Sequence, residues 1–143
     1  MKKILIAAAF MFSTSILHAT GPTEKVLESF NKTFQHVSDV TWQEVEDNFE
    51  ASFTQNEITL RVQYDEQGNI VRSIRYYKGE VLPIFLQSRI QKKFDGKKIF
   101  NVTEVTTPHE LSYHIILEDE KTWTHVQSDP YGNLSVTKKI TKG

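Results

Sequence analysis

Asp65-Glu66-Gln67-Gly68-Asn69-Ile70 recurs 64 positions later as Asp129-Pro130-Tyr131-Gly132-Asn133-Leu134, each time between two alternating apolar segments. An aspartate that caps a turn, followed by a Gly-Asn pair that accepts left-handed φ, is hairpin chemistry. Its recurrence in one register marks the chain as one small unit written twice. The same residues lack the ligand spacing of a calcium loop, so the repeat speaks for scaffold.

Working outward, Thr23 is a suitable N-cap, and Val26, Leu27, Phe30, Phe34 and Val37 recur at three- and four-residue steps, predicting a helix from Glu24 to His36. Val40 to Val45, then Phe49-Glu50-Ala51-Ser52-Phe53, read as two strands around an Asp47-Asn48 turn. Ile58, Leu60, Val62 and Tyr64 alternate with polar residues after a Gln55-Asn56 turn, and Ile70 to Tyr77 completes four antiparallel strands. Pro83 opens a second helix with Leu86, Ile90 and Phe94, closed by Gly96. These align with Val26, Phe30 and Phe34 at an offset of 60, and the later strands align at 64. Four residues are therefore inserted in the second copy, around Thr106-Thr107-Pro108-His109-Glu110. The expected fold is α+β, αββββ-αββββ, with repeats at 20–79 and 80–143 forming one compact domain and the helices on one sheet face.

The alignment predicts which face each strand buries. Ile70, Arg72, Ile74 and Tyr76 match Leu134, Val136, Lys138 and Ile140, so the even-numbered set is expected to face the helices in both final strands. In the first strands Val40, Trp42 and Glu44 match Phe100, Val102 and Glu104 at the offset of 60. The open face would then carry Glu50, Ser52, Thr59, Arg61, Gln63, Ser73, Arg75 and Tyr77 in the first half. In the second half it would carry Ser112, His114, Ile116, Trp123, His125, Gln127, Thr137 and Lys139. A two-residue turn at Asp119-Glu120 would set Ile116 opposite Trp123 and His114 opposite His125, where the first half sets Glu50 opposite Arg61.

Residues 1–19 stand apart. Met1-Lys2-Lys3, the apolar stretch from Ile4 to Leu17 and the small-residue site ending at Ala19 read as a secretory signal peptide, cleaved before Thr20. The apolar run is short of the roughly 18 residues wanted for a membrane span. The expectation is a soluble periplasmic or secreted protein with no span after cleavage. The chain has 17 basic and 18 acidic residues; without Lys2 and Lys3 the net charge is near −3, which offers no footprint for nucleic acid. It contains no Cys, so its stability must come from a conventional core.

No Ser-His-Asp order, nucleophilic cysteine or glycine-rich phosphate loop is present, and an enzyme is disfavoured. The His114/His125 pair has two readings, a solvated cross-strand pair or part of a zinc or copper site in a metal or small-ligand binding protein. The latter wants a third ligand, for which Glu104 is a candidate. Trp123 beside Ile116 is either a binding anchor or a cover for the sheet.

The signal peptide, the helix ending in Phe34, Val40-Thr41-Trp42-Gln43-Glu44, the Tyr64 to Ile70 hairpin and the Leu82-Pro83 helix start resemble the PepSY-like periplasmic proteins of Bacteroidota. The resemblance implies a beta-lactamase-inhibitor-protein-like fold with an open sheet face, and brings no catalytic residues and no cofactor. By fold-level analogy it implies a protein or peptide partner in the envelope, docked on Trp123, Tyr77, Arg61, Arg75, His125, His114 and Ile116, with an inhibitory outcome.

Overall fold

The computed structural model describes residues 21–143; the segment read as a signal peptide, with its cleavage site, lies outside them. Helix α1 (Glu24–Thr33) begins at Thr23, whose Oγ1 accepts from the Val26 amide at 3.3 Å. It stops three residues short of the expected His36, because Phe34 leaves the helical conformation and His36 takes φ 60°. Strands β1 (Thr41–Val45), β2 (Asn48–Gln55), β3 (Ile58–Tyr64) and β4 (Ile70–Tyr77) follow. A short 3₁₀ turn, Gly79–Val81, leads to α2 (Ile84–Lys93), and β5 (Lys98–Thr106), β6 (Leu111–Glu118), β7 (Thr122–Ser128) and β8 (Leu134–Thr141) complete the chain. All eight strands form a single antiparallel sheet in sequence order, joined through β4 and β5. The architecture is thus α+β, two helices on one eight-stranded sheet.

Each helix covers its own core. Under α1, Val26 and Phe30 meet Phe49, Ala51, Phe53, Val62 and Tyr64. Phe30 sits edge-on to both Trp42 and Phe53, with ring centroids 5.3 Å apart in each case. Under α2 the core is mostly aliphatic: Leu82, Leu86, Ile90, Val102, Ile115, Leu117 and Val126, with Tyr77 and Tyr113. Burying each such side chain stabilises the fold by about 1.5–3 kcal/mol. Tyr77 ends β4 yet belongs to the second core, and Ile58 of β3 packs against that core as well. The two cores therefore interlock beneath one continuous sheet.

The recurring hairpins have the same internal bonding. Asp65 Oδ1 accepts from the amides of Gln67 and Asn69, both at 2.9 Å; Asp129 Oδ1 accepts from Tyr131 and Asn133 at 2.9 and 3.0 Å. Gly68 and Gly132 both have φ 84°. Each loop also docks on its own helix. Thr23 Oγ1 donates to the Glu66 carbonyl at 3.1 Å, and Arg89 Nη1 donates to the Gly132 carbonyl at 3.2 Å.

Three β-bulges overturn part of the expected face assignment. Tyr64 pairs with Ile70 and Gln63 with Arg72, so Val71 is extra and parity reverses after it. Ile70 faces the helices as expected, but Arg72, Ile74 and Tyr76 face the open side, and Ser73, Arg75 and Tyr77 the helix side. In β8 the extra residue is Thr137. Leu134 and Val136 face the helices, whereas Lys138 and Ile140 lie on the open face and Lys139 on the helix side. In β5 the extra residue is Phe100: Val102 and Glu104 face the helices, and Phe100 lies against Trp123 on the open side.

The hairpin turns correct the register. Turns fall at Glu46-Asp47 and Asn56-Glu57, whose four residues all have φ between 49° and 64°. The β6–β7 turn is centred on Glu120-Lys121, with the Asp119 amide donating to the Thr122 carbonyl at 3.1 Å and Asp119 Oδ1 accepting from the Lys121 amide at 2.9 Å. Each is one residue later than expected where it joins β2 to β3 or β6 to β7, which moves every facing pair by two. Glu50 faces Gln63, His114 faces Gln127, and Ile116 faces His125.

Candidate functional site

Both helices lie on one side of the sheet, so the alternate residues of all eight strands form a broad second face. Its first half is a closed polar cluster. Glu50 is 1% exposed and accepts at 2.7–2.8 Å from Gln43 Nε2, Arg61 Nε and Gln63 Nε2. Burial alone would raise the Glu50 carboxyl. The bonds from Gln63, Arg61 and Gln43, with the charge of Arg61, outweigh it and hold the group below the ordinary carboxylate range. Arg61 reaches Glu50 diagonally, since the residue directly opposite it is Ser52. Its guanidinium is held above its usual value by Glu50 first and then by Tyr76. Every donor aimed at Glu50 is used internally.

The second half is more apolar and more accessible. Phe100, displaced by its bulge, stands edge-on to Trp123 with ring centroids 4.8 Å apart and an interplanar angle of 75°. Lys78 Nζ lies 4.9 Å from the Phe100 centroid and Lys142 Nζ 4.5 Å from that of Trp123, both in cation–π range. Ile140 faces Trp123 from β8, and Ile116 lies one row along on β6. Phe100 and Ile140 are 41% and 38% exposed, enough for a partner to reach them. Lys142 also donates to Glu118 Oε1 at 2.5 Å.

Of the residues singled out from sequence, Trp123, His125, His114 and Ile116 come together on β6 and β7 of this face, and Arg61 lies on its other half. Arg75 and Tyr77 do not belong to it. They point to the helix side, where Arg75 Nη1 donates to Glu104 at 3.0 Å and the Tyr77 hydroxyl donates to the same carboxylate at 2.6 Å. Burial first, then Glu104, pushes the Tyr77 hydroxyl well above its ordinary value. With Glu104 committed on the opposite face, it is no third ligand for His114 and His125, which are diagonal rather than facing. Among the described residues no group of three potential metal-ligating side chains gathers.

Phe100, Tyr76, Lys78, Ile140 and Lys142 were missed. A signal existed for the first: Ile99-Phe100, like Ile70-Val71, is an apolar doublet inside an alternating strand, which is how a bulge reads in sequence.

No family model matches the chain, and no curated protein matches it. Solved structures do. A BLIP-like protein of Bacteroides fragilis superposes with a TM-score of 0.64 at 14% identity, covering 85% of this chain and 89% of that one. A DUF2874 family protein of Bacteroides uniformis gives 0.61 at 18% identity over 83% and 88%. A presumed periplasmic protein of Bacteroides eggerthii gives 0.61 at 16% identity over the same shares. The likeness is one of fold: at these identities the superpositions show that this chain shares the overall architecture of the BLIP-like protein of Bacteroides fragilis.

Proposed function

We propose that this chain is a non-enzymatic, PepSY-like binding module of the periplasm that engages a protein or peptide partner through the open sheet face. The observation that carries the reading is the Phe100–Trp123 pair. Two large aromatic rings stand on the face away from α1 and α2, and such rings dominate interface energetics. Export rests on residues 1–19 and on the presumed periplasmic location of the Bacteroides eggerthii protein. A tandem origin, with units at 20–79 and 80–143, is supported by the matched bonding of the Asp65–Asn69 and Asp129–Asn133 loops. No helix of the described residues is long and apolar enough to cross a membrane. The inhibitory sense of the binding is the analogy the BLIP-like fold carries.

Site-specific photocrosslinking in intact cells tests the reading. A photoreactive residue at Thr103 or Gln127 on the open face should give a discrete adduct, and one at Gln91 on α2 should not. Adducts from Gln91 alone would move the partner to the helix side and end the open-face reading.

A further inference from the structure

Resting on that reading, we infer that the occupant of the open face is an acidic polypeptide segment bearing an apolar or aromatic anchor, seated across β5–β8. Two carboxylates lie on the open face, Glu50 and Glu118, and each is already bonded to a cation, Arg61 and Lys142. The remaining charged side chains there are all basic: Arg72 faces Gln63, Lys98 faces Glu118, Lys138 faces His125, and Lys78 stands over Phe100. None of these four makes an ion pair among the described residues. The chain as a whole carries a net charge of −1, so this face is opposite in sign to the rest of the molecule.

The geometry joins that charge to an apolar seat. Ile140, Trp123, Glu118 and Lys98 form one row across β8 to β5, and Lys138, His125, Ile116 and Asn101 form the next. With strands about 4.8 Å apart, the two rows span roughly 15 Å, the length of four or five extended residues. Beside them lies a surface depression of about 450 Å³ lined by Gly96, Lys98, Glu118, Asp119, Glu120 and Lys142, where Asp119 and Glu118 are already paired with Lys97 and Lys142; it has room for an apolar side chain rather than for a carboxylate. Lysines at the rim of an aromatic patch would steer a carboxylate-rich segment in and leave the rings to hold its apolar anchor. An anionic bilayer is the poorer fit. The β6–β7 turn bordering the patch carries Glu120, which a flat bilayer would press against lipid phosphates and which a narrow segment lying on the two rows leaves in solvent.

The test uses the isotope-labelled protein and two synthetic peptides of a dozen residues with the same phenylalanines and leucines, one carrying glutamates between them and the other lysines. Vesicles of phosphatidylglycerol form a third arm. The acidic peptide should shift amide resonances of β5–β8, and raising salt from about 50 to about 300 mM should weaken it severalfold through screening. Trp123→Ala should weaken binding by roughly thirtyfold, a hot-spot loss. Lys78→Ala, Lys98→Ala and Lys138→Ala should each weaken it by about two- to fivefold, as exposed ion pairs do; these surface variants keep the test valid if Trp123→Ala folds poorly. Equal binding of both peptides, shifts confined to β1–β4 or the helices, vesicle binding without peptide binding, or dimerisation of the protein alone would each overturn the proposal. If open-face crosslinks form but the acidic peptide does not bind, the partner chemistry is wrong and the open-face reading survives. If the crosslinks come from α2, both fail together.

Discussion

The Tyr77 hydroxyl donates to Glu104 at 2.6 Å across the β4–β5 pairing, on the helix side of the sheet and at the seam between the two cores. Tyr77 is 5% exposed, and Arg75 holds the same carboxylate from the neighbouring position on β4. The bond ties the last strand of the first half to the first strand of the second, in a place no partner on the open face can reach.

Tyr77→Phe should therefore lower stability and leave open-face binding unchanged. The hydroxyl bonds an ionised acceptor, so the expected loss is about 1.5–3 kcal/mol. Chemical denaturation reads it. A variant that loses partner adducts at Gln127 while keeping full stability would contradict the placement of Tyr77.

Glu50→Gln should destabilise by about 1–3 kcal/mol, because one half of the new amide is a donor facing donors from Gln43, Arg61 and Gln63. It should also flatten the acid limb of the stability profile. The Glu50 carboxyl titrates lower in the folded protein than in the unfolded chain. Its stabilisation is thus complete above the unfolded value of about 4.3 and is lost as pH falls through the folded one. Asp119, held far below its usual value by Lys97 first, acts in the same direction. Melting temperatures from neutral pH down through the carboxylate range check this; parallel curves for wild type and Glu50→Gln would refute it.

The two turn glycines should not be equally sensitive. Both have φ 84°, which costs alanine on the order of 1 kcal/mol. At Gly68, however, a Cβ would lie 2.6 Å from the Lys25 carbonyl oxygen, which is backbone of α1 and cannot give way cheaply. At Gly132 its nearest neighbour is Arg89 Cδ at 2.8 Å, part of a flexible side chain. Gly68→Ala should be the more destabilising of the two, as equilibrium unfolding of the pair will show; the reverse order would mean the first hairpin does not dock on α1 as described.

Register can be tested with metal. His114 faces Gln127, not His125, so Gln127→His would create a directly opposed imidazole pair that the wild type lacks. Zinc or nickel should bind this variant about tenfold more tightly than the wild type, since two donors then converge on one ion. Equal affinities in titration calorimetry would argue for the His114–His125 pairing after all.

Much of the architecture was legible because period and punctuation are local. The three- and four-residue steps from Val26 to Phe34, the alternation from Phe49 to Val62 and the Asp-x-x-Gly-Asn turns each specify an element through its own backbone geometry. The faces of β2, β3, β6 and β7 follow from alternation alone, and Trp123, His125, His114 and Ile116 are where that alternation puts them. Arg75, Tyr77 and Phe100 are not, since a single extra residue at Val71 or Phe100 reverses parity downstream and leaves only an apolar doublet as its trace.

Read alone, then, the chain determined its elements, their order, the hairpin chemistry and the inward set of every strand without a bulge, because those depend on neighbours within a few residues. Tertiary structure decided which of two adjacent side chains each bulge ejects and which residue each turn centres on. It also decided that Tyr77 and Glu104 meet across the seam, that Glu50 is quenched by its neighbours, and that Phe100 joins Trp123 among unpaired lysines. Those outcomes depend on competition between strands for hydrogen bonds and core volume. That competition is settled only when the whole sheet closes over both helices.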